Sequence, residues 1–214
     1  MVTPPSGVRF ISVGYPGMLP GNGPTFNAAG VFQTTNFIGA GDFALGVPRY
    51  VINRATIEAR TIDEALKIAA HPQRAYAFHN IFASRGEKRA VSIEVTRDKS
   101  HVLPVSGAYL HTNHLLHEGM KDVAQQAEYL KVSTFQRYEV ADEMLKKIAR
   151  VDERAALGIL TSHERAPRCI CRHPEGERHG ATLACALFDV ARGTARLTRG
   201  NPCTGKPEGV TFSP

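Results

Sequence analysis

The sequence predicts an α+β fold. Three observations carry that reading: strand-patterned segments at both ends of the chain, helical periodicity between them, and no repeat, low-complexity tract or linker that would divide it. With 214 residues, 43% of them hydrophobic, the chain can bury one full core, so residues 1–214 read as a single domain.

The elements follow in order. Residues 8–13 and 30–37 are β-patterned and joined by a connection dense in turn formers, Pro20-Gly21-Asn22-Gly23-Pro24. From Pro48, which suits a first helical turn, Val51, Ile52, Ala55 and Ala59 recur at helical spacing and predict a helix. Thr61-Ile62-Asp63-Glu64 has the form of a capping box, with Leu66, Ala69 and Ala70 on the buried side and His71-Pro72 as the stop. Residues 75–83, 90–96 and 101–105 read as a three-strand meander. Ser133-Thr134-Phe135-Gln136 is a second capping box ahead of Val140, Met144, Leu145 and Ile148, and Asp152 caps a short helix through Leu160. The tail returns to strands at 168–171, 181–190 and 194–198.

Composition narrows the function classes. The excess of 26 Lys+Arg over 20 Asp+Glu gives +6, but the charges are scattered, which fits a solvated surface and no nucleic-acid partner. There is no basic n-region followed by an apolar run, and no apolar segment of membrane-spanning length. The expectation is a cytoplasmic chain that does not engage a membrane. The cysteines at 169, 171, 185 and 203 read as reduced, and without paired Cys-x-x-Cys motifs they predict no zinc framework.

One segment concentrates chemistry: His111-Thr112-Asn113-His114-Leu115-Leu116-His117 offers three imidazoles and an amide. As a metal site it would use His111, His114 and His117, yet no His-Glu-x-x-His pattern accompanies them. As an acyl-transfer site it would use Asn113, whose side-chain N–H can stabilise an oxyanion when held at a strand end. By residue type alone, a buried asparagine satisfying a turn is the favoured reading. Asn36, closing Thr34-Thr35-Asn36-Phe37, is likewise a turn former taken alone.

Taken together, the strand at 30–37, Gly46-Val47-Pro48-Arg49, His111-Thr112-Asn113-His114, Ile170-Cys171-Arg172-His173 and Gly180-Ala181-Thr182-Leu183 resemble the isopenicillin-N acyltransferase family. The resemblance runs from about Phe10 to Pro207. It implies the four-layer αββα sandwich of N-terminal-nucleophile hydrolases, incomplete at its N-terminus. It also implies cysteine-based hydrolysis or transfer at amide bonds, with no cofactor and no metal.

By the same resemblance, Asn36, through its backbone N–H, and Asn113, through its side chain, are the catalytic oxyanion donors. His111, Arg178 and His179 are the substrate-binding residues. His179 stands where the family has an arginine and Arg178 where it has a serine, and Arg and His differ in donor geometry and charge. The family's nucleophile is a cysteine whose own α-amino group is the base, and the four cysteines here are mid-chain. The implied partners are therefore an acyl amide or acyl-CoA substrate, together with a separately encoded nucleophile-bearing segment or a second copy of the chain. The alternatives are a non-catalytic remnant or binding subunit that keeps the pocket, and a histidine-based metal hydrolase.

Overall fold

The computed structural model describes residues 2–125, 133–174 and 180–211. A six-stranded antiparallel sheet follows chain order: β1 (Phe10–Ser12), β2 (Thr25–Asn27), β3 (Val31–Phe37), β4 (Phe78–Ser84), β5 (Arg89–Val95) and β6 (Ser100–Val105). A second antiparallel sheet holds β7 (Ala184–Asp189), β8 (Thr194–Arg199) and β9 (Pro207–Thr211). Among the described residues, the helices are α1 (Arg49–Thr56), α2 (Ile62–Ala69), α3 (Ser133–Leu145) and α4 (Glu153–Leu160), with a 3₁₀ turn at Glu118–Met120. Among the described residues, no helix is long and apolar enough to cross a membrane.

Strand alternation assigns the two faces of the large sheet. Phe78 and Phe82 of β4, with Val91, Ile93 and Val95 of β5, pack against Ile52 of α1 and Ile62, Ala65 and Ala69 of α2. The opposite face carries Phe32, Asn36, His79, Ser92 and Glu94. Phe32 meets Phe188 of the second sheet with ring centroids 4.7 Å apart. Beyond that sheet Arg196 pairs with Glu153 of α4 at 2.5 Å. The order helix, sheet, sheet, helix is the expected αββα layering.

Local signals decide most element ends. Thr61 Oγ1 accepts from Glu64 N at 3.1 Å, as a capping box requires, whereas the Glu64 carboxylate reaches back one residue further, to Arg60 N at 2.8 Å. Asp152 Oδ1 accepts from Ala155 N at 2.8 Å and caps α4. Pro48 stands one place outside α1 with φ −62° and ψ 144°, where its fixed φ is tolerated and its carbonyl receives Val51 N.

Four expectations change. In α1 the buried side is Ile52, Asn53 and Thr56, not Val51 and Ala55, because this helix lies over polar residues of β3: Thr56 Oγ1 donates to Gln33 Oε1 (2.6 Å) and Asn53 Nδ2 to Thr35 Oγ1 (3.0 Å). Ser133 lies within α3, where it accepts side-chain bonds from Arg137 and Arg172. Residues 168–171 form bends instead of a strand, with Cys169 Sγ bonded to the Cys171 carbonyl at 3.0 Å. Finally, β2 lies within the connection expected between residues 8–13 and 30–37, and β9 lies beyond the last expected strand at 194–198.

Candidate active site

The inner face of the large sheet carries a row of polar residues in one register: Asn36 faces His79, His79 faces Glu94, and Glu94 faces His101. Over this row lies the loop that contains His111 to His117. Glu94, fully buried, gathers it: Oε1 accepts from His111 Nε2 (2.9 Å) and Leu116 N (2.6 Å), and Oε2 accepts from His117 N (3.0 Å). Burial alone would raise the Glu94 pKa, but these hydrogen bonds outweigh it and hold the carboxyl below its ordinary value.

The histidines each have a separate task. The Nδ1 of His111 faces the Thr112 carbonyl at 2.8 Å while Nε2 faces Glu94. Its plane stacks on His79 with centroids 3.4 Å apart and 7° between planes. His79 is pushed well below the usual imidazole range by burial and then by His111 and His117, so a neutral ring underlies His111. His117 donates from Nδ1 to the His101 carbonyl (3.1 Å), and its Nε2 meets Ser92 Oγ (2.8 Å) and Tyr109 Oη (3.2 Å). Burial raises the Tyr109 hydroxyl to about 12. His114 bonds Thr112 and Thr134 and is lowered to about 4, chiefly by burial. With these separate partners, the three imidazoles form no ligand cluster among the described residues, which does not favour the alternative metal site of His111, His114 and His117.

What the network fixes is the pair of asparagines. Asn36 Nδ2 donates to the Thr112 carbonyl, and Asn113 Nδ2 donates to the Phe37 carbonyl at 3.0 Å. The two segments thereby clasp each other. Asn113 Oδ1 accepts from Arg137 Nη2 at 2.8 Å, and its backbone N–H from the other side bonds Thr134 Oγ1 at 2.7 Å. With oxygen and one amide hydrogen engaged, the second Nδ2 hydrogen of Asn113 is left for another acceptor. The Arg137 guanidinium is lowered to about 10 by burial and by Arg172 nearby.

Both asparagines line one cavity of about 300 Å³, together with Tyr15, Met18, Arg49 and Tyr50. Residues 34–37 of β3 extend past the end of β2, so this edge of the strand opens into it. Arg49 donates to Tyr50 Oη at 2.9 Å and lies over the Phe37 and Tyr50 rings, with no carboxylate in salt-bridge range among the described residues. A larger groove near Arg150 and Phe188 contains neither asparagine.

The sequence matches the family described as acyl-coenzyme A:6-aminopenicillanic acid acyl-transferase over residues 1–204. The chain belongs to this family. No curated protein sequence matches it. Among solved structures, a variant of the conjugated bile acid hydrolase from Clostridium perfringens shares 9% identity at a TM-score of 0.55, over 97% of this chain and 82% of that one. A second variant of that enzyme shares 13% identity at a TM-score of 0.46, over 91% and 78% of the two chains. At 9% identity the first likeness is one of fold, and the fold is that of the N-terminal-nucleophile hydrolases. Family membership supports an amide hydrolase or acyltransferase.

Of the acyltransferase-family residues expected at the site, Asn36 and Asn113 are brought together at the cavity. His111 does not line the cavity: its side chain is 1% exposed and bound to Glu94. Arg178 and His179 lie outside the described residues. Glu94, His79 and Arg137 were not singled out in the sequence, and Arg49 entered only as part of the Gly46-Val47-Pro48-Arg49 motif. The alternation of β4 and β5 places His79 and Glu94 opposite the apolar face, and a histidine and a glutamate on inward strand positions were the available signal.

Proposed function

We propose that this chain forms the acyl pocket and oxyanion hole of an amidohydrolase or acyltransferase of the N-terminal-nucleophile class. The observation that carries the proposal is the mutual clasp of Asn36 and Asn113 at one open cavity. In this mechanism a cysteine thiolate attacks the acyl carbonyl carbon, a C–S bond forms, and the carbonyl electrons move onto oxygen. The free Nδ2 hydrogen of Asn113 and the Asn36 backbone N–H receive that oxyanion. Collapse expels the amine or thiol, and water or an amine then takes the acyl group from the thioester.

The attacking cysteine comes, in this reading, from a segment outside residues 1–214. No cysteine lines the cavity, and Cys169, Cys171 and Cys203 are engaged with one another elsewhere. His111 is a positioning residue: with Glu94 it holds Thr112, whose carbonyl anchors Asn36. Arg49, cationic and without a carboxylate partner among the described residues, supports a substrate that bears a carboxylate next to the amide.

Titration of the labelled chain with an N-acyl amino acid, followed by NMR, tests the pocket directly. Shifts should concentrate at Thr35, Asn36, Arg49 and Asn113, and the neutral amide of the same compound should bind about 10-fold more weakly, the equivalent of one lost charged hydrogen bond. Arg49→Met should abolish that preference. Shifts located elsewhere, or equal affinity for acid and amide, would contradict the assignment.

A further inference from the structure

Away from the cavity, four side chains converge that no part of the acyl-transfer reading uses. His163 follows α4, Cys171 ends the bends after it and His173 lies two residues on, and Cys203 lies in the turn between β8 and β9. One ligand atom from each lies within 4.8 Å of all the others. His163 Nε2 and His173 Nε2 are 3.1 Å apart, His173 Nε2 and Cys203 Sγ 3.1 Å, and Cys171 Sγ and Cys203 Sγ 3.5 Å.

These separations are those of a coordination shell. Zinc bonds of about 2.0–2.1 Å to nitrogen and about 2.3 Å to sulfur set neighbouring ligands of a tetrahedron roughly 3.3–3.8 Å apart. The contacts within the cluster are close to that range, and without an ion two imidazole nitrogens at 3.1 Å can share at most one proton. A supporting shell is also present. Asn201 Nδ2 donates to Cys171 Sγ at 3.4 Å and also to the Arg172 carbonyl, and Cys171 N is bonded to the Ser162 carbonyl at 2.9 Å.

We propose that His163, Cys171, His173 and Cys203 form a tetrahedral zinc site. Two thiols and two imidazoles fill all four positions, so the site is structural and leaves no position for substrate. Zinc uptake forms two Zn–S and two Zn–N bonds, and each thiol releases its proton to solvent. Neither metal nor protein changes oxidation state.

The ion fastens the segment after α4 to the β8–β9 turn. Arg172 stands between two of the ligands and reaches Ser133 of α3, one helical turn from Arg137, which holds the Asn113 oxygen. The sequence hides the site because its ligands come as one Cys-x-His pair and two single residues far apart, instead of paired Cys-x-x-Cys motifs.

The test uses the full chain purified under reducing conditions. Elemental analysis should find one zinc per chain in the wild type and in Cys185→Ser, which alters a cysteine outside the cluster, and less than a tenth of that in Cys203→Ser. Because Cys203→Ser could fail to fold, the wild-type apo chain is also titrated with cobalt(II). It should develop a thiolate-to-cobalt charge-transfer band and the intense visible bands of a tetrahedral ion, saturating at one equivalent. Weak octahedral cobalt bands in the reduced apo chain would overturn the proposal. So would zinc retained equally by Cys203→Ser, or a Cys171–Cys203 disulfide whose reduction yields a chain that binds no metal.

Discussion

Glu94 is the residue whose loss the structure makes most costly. It is fully buried, and it accepts from His111 Nε2, Leu116 N and His117 N at 2.9, 2.6 and 3.0 Å. Glu94→Ala leaves two backbone donors and an imidazole without their acceptor, and breaking a buried pair from one side costs about 3–5 kcal/mol. For a chain of this length each kcal/mol moves Tm by roughly 2–4 °C, so a fall of about 6–20 °C is expected. Glu94→Gln keeps one acceptor oxygen and turns an amide group toward a donor, and should cost about 1.5–3 kcal/mol.

The pH dependence has a definite sign. Glu94 has a lowered pKa in the fold, so its stabilisation is complete above the unfolded value of about 4.3 and is lost as pH falls through the lower folded value. His79, His114 and His117 are also lowered, so protonation favours the unfolded chain as pH falls below about 6.5. Wild-type stability should therefore decline from near neutrality downward, and Glu94→Gln should flatten the most acidic part of that decline. Calorimetry from pH 3 to 8 reads both effects. A Glu94→Ala protein within about 0.5 kcal/mol of wild type would refute the network as the support of the site.

Two smaller perturbations test the scaffold around the cavity. Gly21 has φ +104°, and a Cβ there would meet the Asn53 carbonyl oxygen at 2.5 Å; Gly21→Ala should cost about 1–3 kcal/mol in urea unfolding, while Gly14→Ala, with open space around it, should be close to neutral. Equal midpoints for the two would contradict the packing of α1 on the β2 connection. Thr61→Ala removes the acceptor for Glu64 N and should cost about 1 kcal/mol, with Thr61→Ser restoring most of it; an unchanged Tm in the alanine variant would show that α2 needs no such cap.

The layering and most element positions are legible in the sequence because they follow from local chemistry. Thr61 and Asp152 start helices through their own side chains, and β4, β5 and β6 are rich in β-branched and aromatic residues joined by short turns. The expectation for α1 fails at Val51 and Ala55 because hydrophobic periodicity assumes an apolar floor, and Gln33 and Thr35 supply a polar one. The site divides in the same way. Asn36 and Asn113 could be found through motif resemblance, but their union with Glu94 depends on the register of three strands, β3, β4 and β5. His111, conspicuous in the sequence, serves behind the cavity because Glu94 waits on the inward face of β5.

The central claim is that Asn113 stabilises an oxyanion, and steady-state kinetics of Asn113→Ala test it most directly. The assay is hydrolysis of an N-acyl amino acid by the chain joined, in cis or in trans, to a family-type segment carrying the nucleophilic cysteine. Removal of one oxyanion donor should lower kcat by roughly 10²–10³ and leave KM close to unchanged, because the bond is made mainly in the transition state. The same assay on Arg137→Lys, which retains a donor for the Asn113 oxygen, should give a smaller loss in kcat. An Asn113→Ala enzyme with unaltered kcat, or with the whole effect in KM, would contradict the account.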